Sequence, residues 1–242
     1  VRMEDGRVDG VEALVRWNHP HHGLVPPVEF IPLAEESGLI GIMGRWILAE
    51  ACRQFVAWMA EAPEAEGRYI SINLSGKQLH HGDFVADLQR VIRQTGIAPS
   101  AILLELTESV LVDDTERTLE RLNALRATGV RIAVDDFGTG FSALAYLQRL
   151  PVHVLKLAAP WVQGLRTGQE PLVDTILRLA ETLNLDVIAE GIEHAYEVET
   201  LARLGCGLGQ GFYFSRPLLA EQAGDVLARG AVPTRQPAGV TG

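Results

Sequence analysis

Ala133-Val134-Asp135-Asp136-Phe137-Gly138-Thr139-Gly140-Phe141-Ser142 is the stretch whose reading decides the fold. Just before its acids, Val130 to Val134 is apolar except for Arg131. Such a run predicts a mostly buried strand, because parallel strands covered on both faces are near-continuously apolar. Two adjacent carboxylates close it, and Gly138 and Gly140 open a loop. Side chains alternate between the faces of a strand, so neighbouring acids share one site only where the strand ends and the backbone turns. Parallel sheets and barrels keep their chemistry at that end. The competing reading is a helix N-cap pair in a solvated turn.

Outward from this strand the chain alternates. Towards the N-terminus, strands are expected at Val11 to Trp17, Arg68 to Leu74 and Ala101 to Leu106, and towards the C-terminus at Val152 to Leu157, Asp186 to Ala189 and Leu208 to Phe212. Between them, amphipathic spacing predicts helices at Pro27–Ser37, Met43–Met59, Phe84–Gln94, Pro171–Leu183 and Ala195–Leu204. Asp113 or Asp114 is expected to cap a helix through Leu119, Leu122 and Leu125, and short helices are expected at Ser142–Arg149 and Glu221–Arg229. The α/β alternation implies a mostly parallel sheet with right-handed crossovers. Seven strands allow an open sheet, or a TIM-barrel-like (β/α)8 barrel whose first strand is truncated to Val1–Met3, and the abrupt start favours the barrel. One domain over residues 1–230 and a disordered tail over 231–242 are expected.

Composition narrows the function. The 242 residues are 47% apolar and carry a formal charge of −10, without the basic face that nucleic-acid polymers require. No apolar run approaches the roughly 18 residues of a membrane span, and no export signal is visible, so a cytoplasmic setting is expected even if the domain belongs to a membrane-anchored protein. Cys52 and Cys206 read as two reduced thiols, with a disulfide as the alternative. The His19-Pro20-His21-His22-Gly23 turn lacks helical ligand spacing and reads as a solvated loop.

Each expected strand supplies a polar residue in or just after its apolar run: Glu12, Asn73, Glu105, Asp135 with Asp136, Lys156, Glu190 and Gln210. A buried charge is costly unless paired or metal-bound, so seven such strands imply one convergent site. Carboxylates and a carboxamide are hard oxygen donors, suited to Mg²⁺ or Mn²⁺. Adjacent Asp135 and Asp136 could help hold two ions about 3.5–4 Å apart, the arrangement of two-metal phosphoester hydrolysis. A salt-bridge network around Lys156 is the bland alternative.

The same residues carry a resemblance. Glu12-Ala13-Leu14-Val15-Arg16-Trp17 resembles the opening signature of the EAL-domain family. Phe30-Ile31-Pro32-Leu33-Ala34-Glu35, Asn73-Leu74-Ser75, Glu105-Leu106-Thr107-Glu108-Ser109, Asp135-Asp136-Phe137-Gly138-Thr139-Gly140, Glu190-Gly191-Ile192-Glu193 and Gln210-Gly211-Phe212 resemble its later motifs, in order. The resemblance implies a modified TIM barrel with an antiparallel first strand that hydrolyses cyclic di-GMP to linear pGpG with two Mg²⁺ or Mn²⁺ ions. Carried over by position, Glu12, Asn73, Glu105, Asp135 and Asp136 would bind metal. Lys156 and Glu190 would position and activate water, and Leu14, Arg16 and Gln210 would lie on the nucleotide side. Glu108 would couple metal binding to dimerisation, and Glu193 would support the loop of Glu190. A homodimer and upstream sensory or GGDEF-type domains in a longer protein are also implied.

The chain departs from the family pattern at Lys156-Leu157-Ala158, where the family usually reads Lys-Ile-Asp. Alternation puts residue 158 on the face of Lys156, so a site-facing carboxylate is missing. The alternative reading is therefore a catalytically impaired EAL domain that binds cyclic di-GMP as a receptor or regulatory module. Phe141 replaces the usual Tyr.

Overall fold

A computed structural model of the chain describes residues 1–62, 67–80, 83–112, 115–139 and 147–232. Seven parallel strands form one curled sheet: β1 (Gly10–Ala13), β4 (Tyr69–Asn73), β5 (Ile102–Thr107), β6 (Arg131–Phe137), β7 (Val154–Leu157), β8 (Asp186–Ala189) and β9 (Leu208–Gly209), in that spatial order. The expected α/β, TIM-barrel-like architecture is what the chain adopts. At the seam, Arg2 bridges Leu208 in antiparallel sense. The Val1 amino group donates to the Gly209 carbonyl at 2.9 Å, and the Met3 amide donates to that of Gly207 at 2.9 Å. Val1 to Met3 thus lies antiparallel to β9, as the expected first strand should.

Face parity explains the packing. On β5 and β6, Ile102, Leu104, Leu106, Ile132 and Val134 point outward into the main core beneath the helices. Leu103 and Ala133 point inward, where they meet Val154 and Ile188 in a small apolar layer inside the barrel. Continuously apolar strands are what this two-sided burial demands.

The helices are α1 (Pro27–Glu36), α2 (Ile40–Glu61), α3 (Gly76–His80), α4 (Phe84–Thr95), α5 (Glu108–Val112), α6 (Thr115–Arg126), α7 (Ala159–Gln163), α8 (Glu170–Thr182), α9 (Ala195–Arg203) and α10 (Ala220–Arg229). On α4, the Asp83 side chain accepts from the Ala86 amide, and Gly96 ends the helix at φ 72°. Leu88 and Val91 are its buried stripe.

Several expectations need correction. Val11 to Trp17 is not one strand: β1 stops at Ala13, and Trp17 opens a separate antiparallel hairpin, β2 (Trp17–His19) with β3 (Gly23–Val25). The histidine turn joins the two, with His19 Nδ1 accepting from the amides of His21 and His22. The strand expected through Phe212 ends at Gly209. Packing against the domain does not stop at Gly230 either. Ala231 bridges Arg7, and Val232 packs against Val8 and Leu227, two residues into the stretch expected as tail. The expected cap at Asp113 or Asp114, most of the helix at Ser142–Arg149, and residues 233–242 lie outside the described residues. Cys52 and Cys206 are buried free thiols, not a disulfide. Among the described residues no helix is long and apolar enough to cross a membrane.

Candidate active site

Lys156 is the centre of the site. It sits inside the barrel on β7, 1% exposed. Its Nζ lies 2.8 Å from Glu190 Oε1, 2.9 Å from Glu105 Oε2, 3.0 Å from Asp135 Oδ1 and 3.9 Å from Glu12 Oε2. Glu12 is held from both sides: Asn73 Nδ2 donates to Oε1 at 2.9 Å, and Gln210 Nε2 donates to Oε2 at 2.5 Å. This last bond spans the gap between edge strands β1 and β9. Glu190 and Gln210 follow their strands, yet their amides donate to Leu157 and Ala189 at 3.0 and 2.8 Å. The parallel ladders therefore run one residue further and aim both side chains inward.

Asp136 reaches the same mouth by breaking the strand rule. The register between β6 and β7 shifts between Val134 and Phe137, and Asp136 has φ 53°. Asp tolerates this left-handed conformation better than most residues, though it still costs about 1–3 kcal/mol. The turn that sequence reasoning required for neighbouring acids is thus a bulge. Gly138 completes it at φ 92°, and an added Cβ there would lie 2.4 Å from Trp161 Nε1.

The electrostatics follow from one ammonium facing several acids. Burial alone would pull the Lys156 ammonium down, but Glu105, Glu12, Glu190 and Asp135 outweigh it and hold the group above its ordinary value. Burial pushes Glu105 up to about 8 against the pull of Lys156, and Glu12 and Asp135 add to the rise. Glu190 is pushed up to about 7, again by burial against Lys156. Asp136 is raised by burial and by Asp135.

Among the described residues no group of three or more His, Cys, Asp and Glu is arranged to hold a metal ion. The acids gather on the ammonium instead of forming an open ligand ring. The donor set nonetheless fits hard divalent cations. Glu12, Glu105, Asp135 and Asp136 with Asn73 offer oxygen donors, and Asp135 Oδ1, though close to Lys156, is buried without a hydrogen-bond partner among the described residues. One ammonium cannot balance these carboxylates together with Glu190, and added cations would.

Asn73, Asp135 and Asp136 form the polar end of a cavity of about 1010 Å³. Its other wall is apolar, built from Leu14, Val15, Val28, Ile31, Ile40 and Ile47. Leu14 is 43% exposed there. Arg16 is exposed, and its guanidinium donates to the neighbouring Val15 carbonyl at 2.8 Å. Glu108 is buried at the start of α5 and accepts from the Gly138 amide at 2.9 Å, tying that helix to the Asp-Asp turn. Glu193 itself is exposed. The loop after Glu190 is held by Glu197, which sequence reasoning missed. Its buried carboxylate accepts from the Glu193 and His194 amides at 2.7 and 2.9 Å. An acid at the third position of a helix is a capping signal visible in the sequence. Ala158 is fully buried immediately after β7.

The fold and site define an α/β barrel whose strand ends converge on one buried lysine at the carboxyl mouth. The sequence model of the EAL domain matches residues 1–217, and the chain belongs to that family. MucR of Pseudomonas aeruginosa, a bifunctional diguanylate cyclase/cyclic di-GMP phosphodiesterase, is 43% identical over 224 residues, covering 92% of this chain. The chain spans only 32% of MucR's length. The solved PaMucR phosphodiesterase, in complex with c-di-GMP, matches with a TM-score of 0.87 at 42% identity, over 92% of this chain and 90% of that one. Klebsiella pneumoniae BlrP1, in a manganese/cy-diGMP complex, matches with a TM-score of 0.73 at 32% identity, over 86% of this chain and 51% of that one.

Proposed function

We propose that this domain hydrolyses cyclic di-GMP to linear pGpG. The observation that carries the reading is the convergence of Glu12, Asn73, Glu105, Asp135 and Glu190 around Lys156, in a chain belonging to the EAL family. Glu12, Asn73, Glu105 and Asp135 would hold Mg²⁺ or Mn²⁺, with Asp136 on a second ion, and the ions would supply Lewis acidity to the phosphodiester and its attacking water.

The protein's own groups do the rest. Lys156 keeps its charge, so it acts as a fixed cation that orients the water and the developing phosphorane charge. Glu190, raised to about 7, is poised to take a proton near neutrality. Gln210 and Asn73 fix the orientation of Glu12. The apolar wall from Leu14 to Ile47 suits a purine ring, and Arg16, which among the described residues engages a neighbouring carbonyl, can swing to reach a phosphate or base. Glu108 transmits the state of the Asp-Asp turn to α5, the route we assign to coupling with a second copy of the chain. Glu193 is exposed in the loop that follows Glu190, and its amide is held by Glu197.

The test is direct. Incubation with cyclic di-GMP and Mn²⁺ is expected to yield pGpG, and excess EDTA to stop it. Intact dinucleotide after prolonged incubation with either Mn²⁺ or Mg²⁺ would overturn the reading.

A further inference from the structure

At the opposite, amino-terminal mouth of the barrel lies a second cavity, of about 290 Å³. Arg2, Arg7, Arg68 and Arg131 line it together with Asp9 and Asp186. The arginines come from three separate segments: the chain before β1, the residue before β4, and the first residue of β6. Two of them are neutralised. Arg2 Nε lies 3.1 Å from Asp9 Oδ2, and an Arg131 guanidinium nitrogen lies 2.7 Å from Asp186 Oδ2. The other two have no carboxylate at ion-pair distance among the described residues, and Asp9 acts on Arg68 only from further away. Arg68 is half-buried and donates to the Leu227 carbonyl, and the Arg7 guanidinium has no carboxylate partner among the described residues. Burial, and then the nearby Arg7, hold the Arg68 guanidinium below its ordinary value.

We propose that this mouth is a binding site for a small phosphate-bearing anion. Arg7 and Arg68 repel each other, Asp9 offsets only part of the Arg68 charge, and a dianion bridging the two guanidiniums removes that cost. The planar fork of arginine matches phosphate oxygens in pairs, which a lysine cannot do. A surface ion-pair cluster would account for the Arg2–Asp9 and Arg131–Asp186 pairs. With Arg68 held at the Leu227 carbonyl, it leaves unexplained why Arg7 faces the same cavity without a carboxylate at ion-pair distance among the described residues, in a chain of net charge −10.

The cavity is separate from the acid site. The Tyr69 ring lies across the floor of the barrel, under the Arg131 guanidinium at 5.5 Å. Gly10 makes room for it: a Cβ there would meet the ring at 2.6 Å. Above the ring come Leu103, Ala133, Val154 and Ile188. The volume is at the low end for small-molecule sites, and so admits phosphate carrying a small organic group.

The experiment is calorimetric titration of the metal-free protein, in EDTA at fixed ionic strength, with inorganic phosphate and with glycerol 3-phosphate. One saturable site is expected for at least one of them. Tighter binding of the ester would identify a phosphorylated metabolite as the ligand, and phosphate alone would identify the free ion. Arg7→Gln with Arg68→Gln is expected to weaken binding at least about tenfold, the scale of a lost charge-assisted hydrogen bond. The exposed Arg53→Gln on α2 is expected to change nothing. Should the double variant fold poorly, the single Arg7→Gln at an exposed position serves, with a loss of about threefold or more expected. No saturable heat with either ligand, or equal binding by the arginine variants, overturns the proposal. Turnover of cyclic di-GMP plays no part in this readout.

Discussion

The two mouths of the barrel are built from the same strands and carry opposite chemistry. At the carboxyl ends, Glu12, Glu105, Asp135 and Glu190 crowd one ammonium, almost fully shielded from water. At the amino ends, Arg131 and Asp186 pair with side chains 29% and 62% exposed. Between them lies the apolar layer around Leu103 and Val154. The difference teaches that charge alone does not make a site. The carboxyl mouth concentrates charge in a low-dielectric interior, where each group perturbs its neighbours strongly. At the amino mouth, water screens the Arg131–Asp186 pair to little net value.

That contrast breaks most sharply at Lys156. Lys156→Met leaves Asp135 and Glu12, and at alkaline pH also Glu105 and Glu190, without their counter-charge. It is expected to cost about 3–5 kcal/mol in the metal-free protein by denaturant unfolding, the scale of a broken buried ion pair. Added Mn²⁺ should restore part of that stability while turnover stays at least about a thousandfold down. Unchanged stability in EDTA would mean that the acids do not depend on the ammonium. Next in size is Glu105→Gln, expected to reduce Mn²⁺-dependent hydrolysis by about a hundredfold or more, on the order of a lost charge-stabilising group.

A pH series sharpens the comparison further. Burial raises the folded-state pKa of Glu105 to about 8, so the folded chain holds this proton more tightly than the unfolded one. Stability in EDTA is therefore expected to fall as pH rises from the ordinary carboxylate range through about 8, with Glu190 adding to the fall up to about 7. Mn²⁺ should flatten the curve, and Glu105→Gln should make the metal-free protein more stable than the parent at alkaline pH. Melting temperatures that climb steadily with pH in EDTA would contradict this assignment.

Smaller effects remain. Ala158→Asp restores the acid that the family usually places there. It is expected to raise the Mn²⁺-dependent rate by more than about threefold, roughly 0.7 kcal/mol of barrier, while lowering the metal-free melting temperature by adding one more buried acid. A smaller gain would show that position 158 does not limit the reaction. Smallest of all is Arg131→Met at the other mouth, expected to cost about 1 kcal/mol or less and to leave turnover unaltered.

The site was unusually legible in the sequence. Polar residues at the ends of apolar runs are expensive, and Glu12, Asn73, Glu105, Asp135, Lys156, Glu190 and Gln210 all come together. Short elements were not legible. The helices α3 and α5 have five residues each, too few to show a helical period. The hairpin β2–β3 was not legible because its strands have three residues each, and Trp17 alone was joined to the preceding strand by the apolar bias of Val11 to Trp17. Glu197 was overlooked although its capping position is readable, because the conspicuous Glu190 and Glu193 obscure a structural acid four residues on.

The sequence by itself determined the alternation of strands and helices, the polarity of each strand end, and the need for the backbone to turn at Asp135-Asp136. These follow from side-chain periodicity and the cost of burying charge, both local properties. Only the tertiary structure decided that Lys156 stands at the centre of the acids, that Asp136 reaches the mouth through a bulge with φ 53°, and that arginines from distant segments meet at the other end. Those depend on which strands become neighbours when the sheet curls, and residues far apart along a chain carry no mark of the distance at which they will meet.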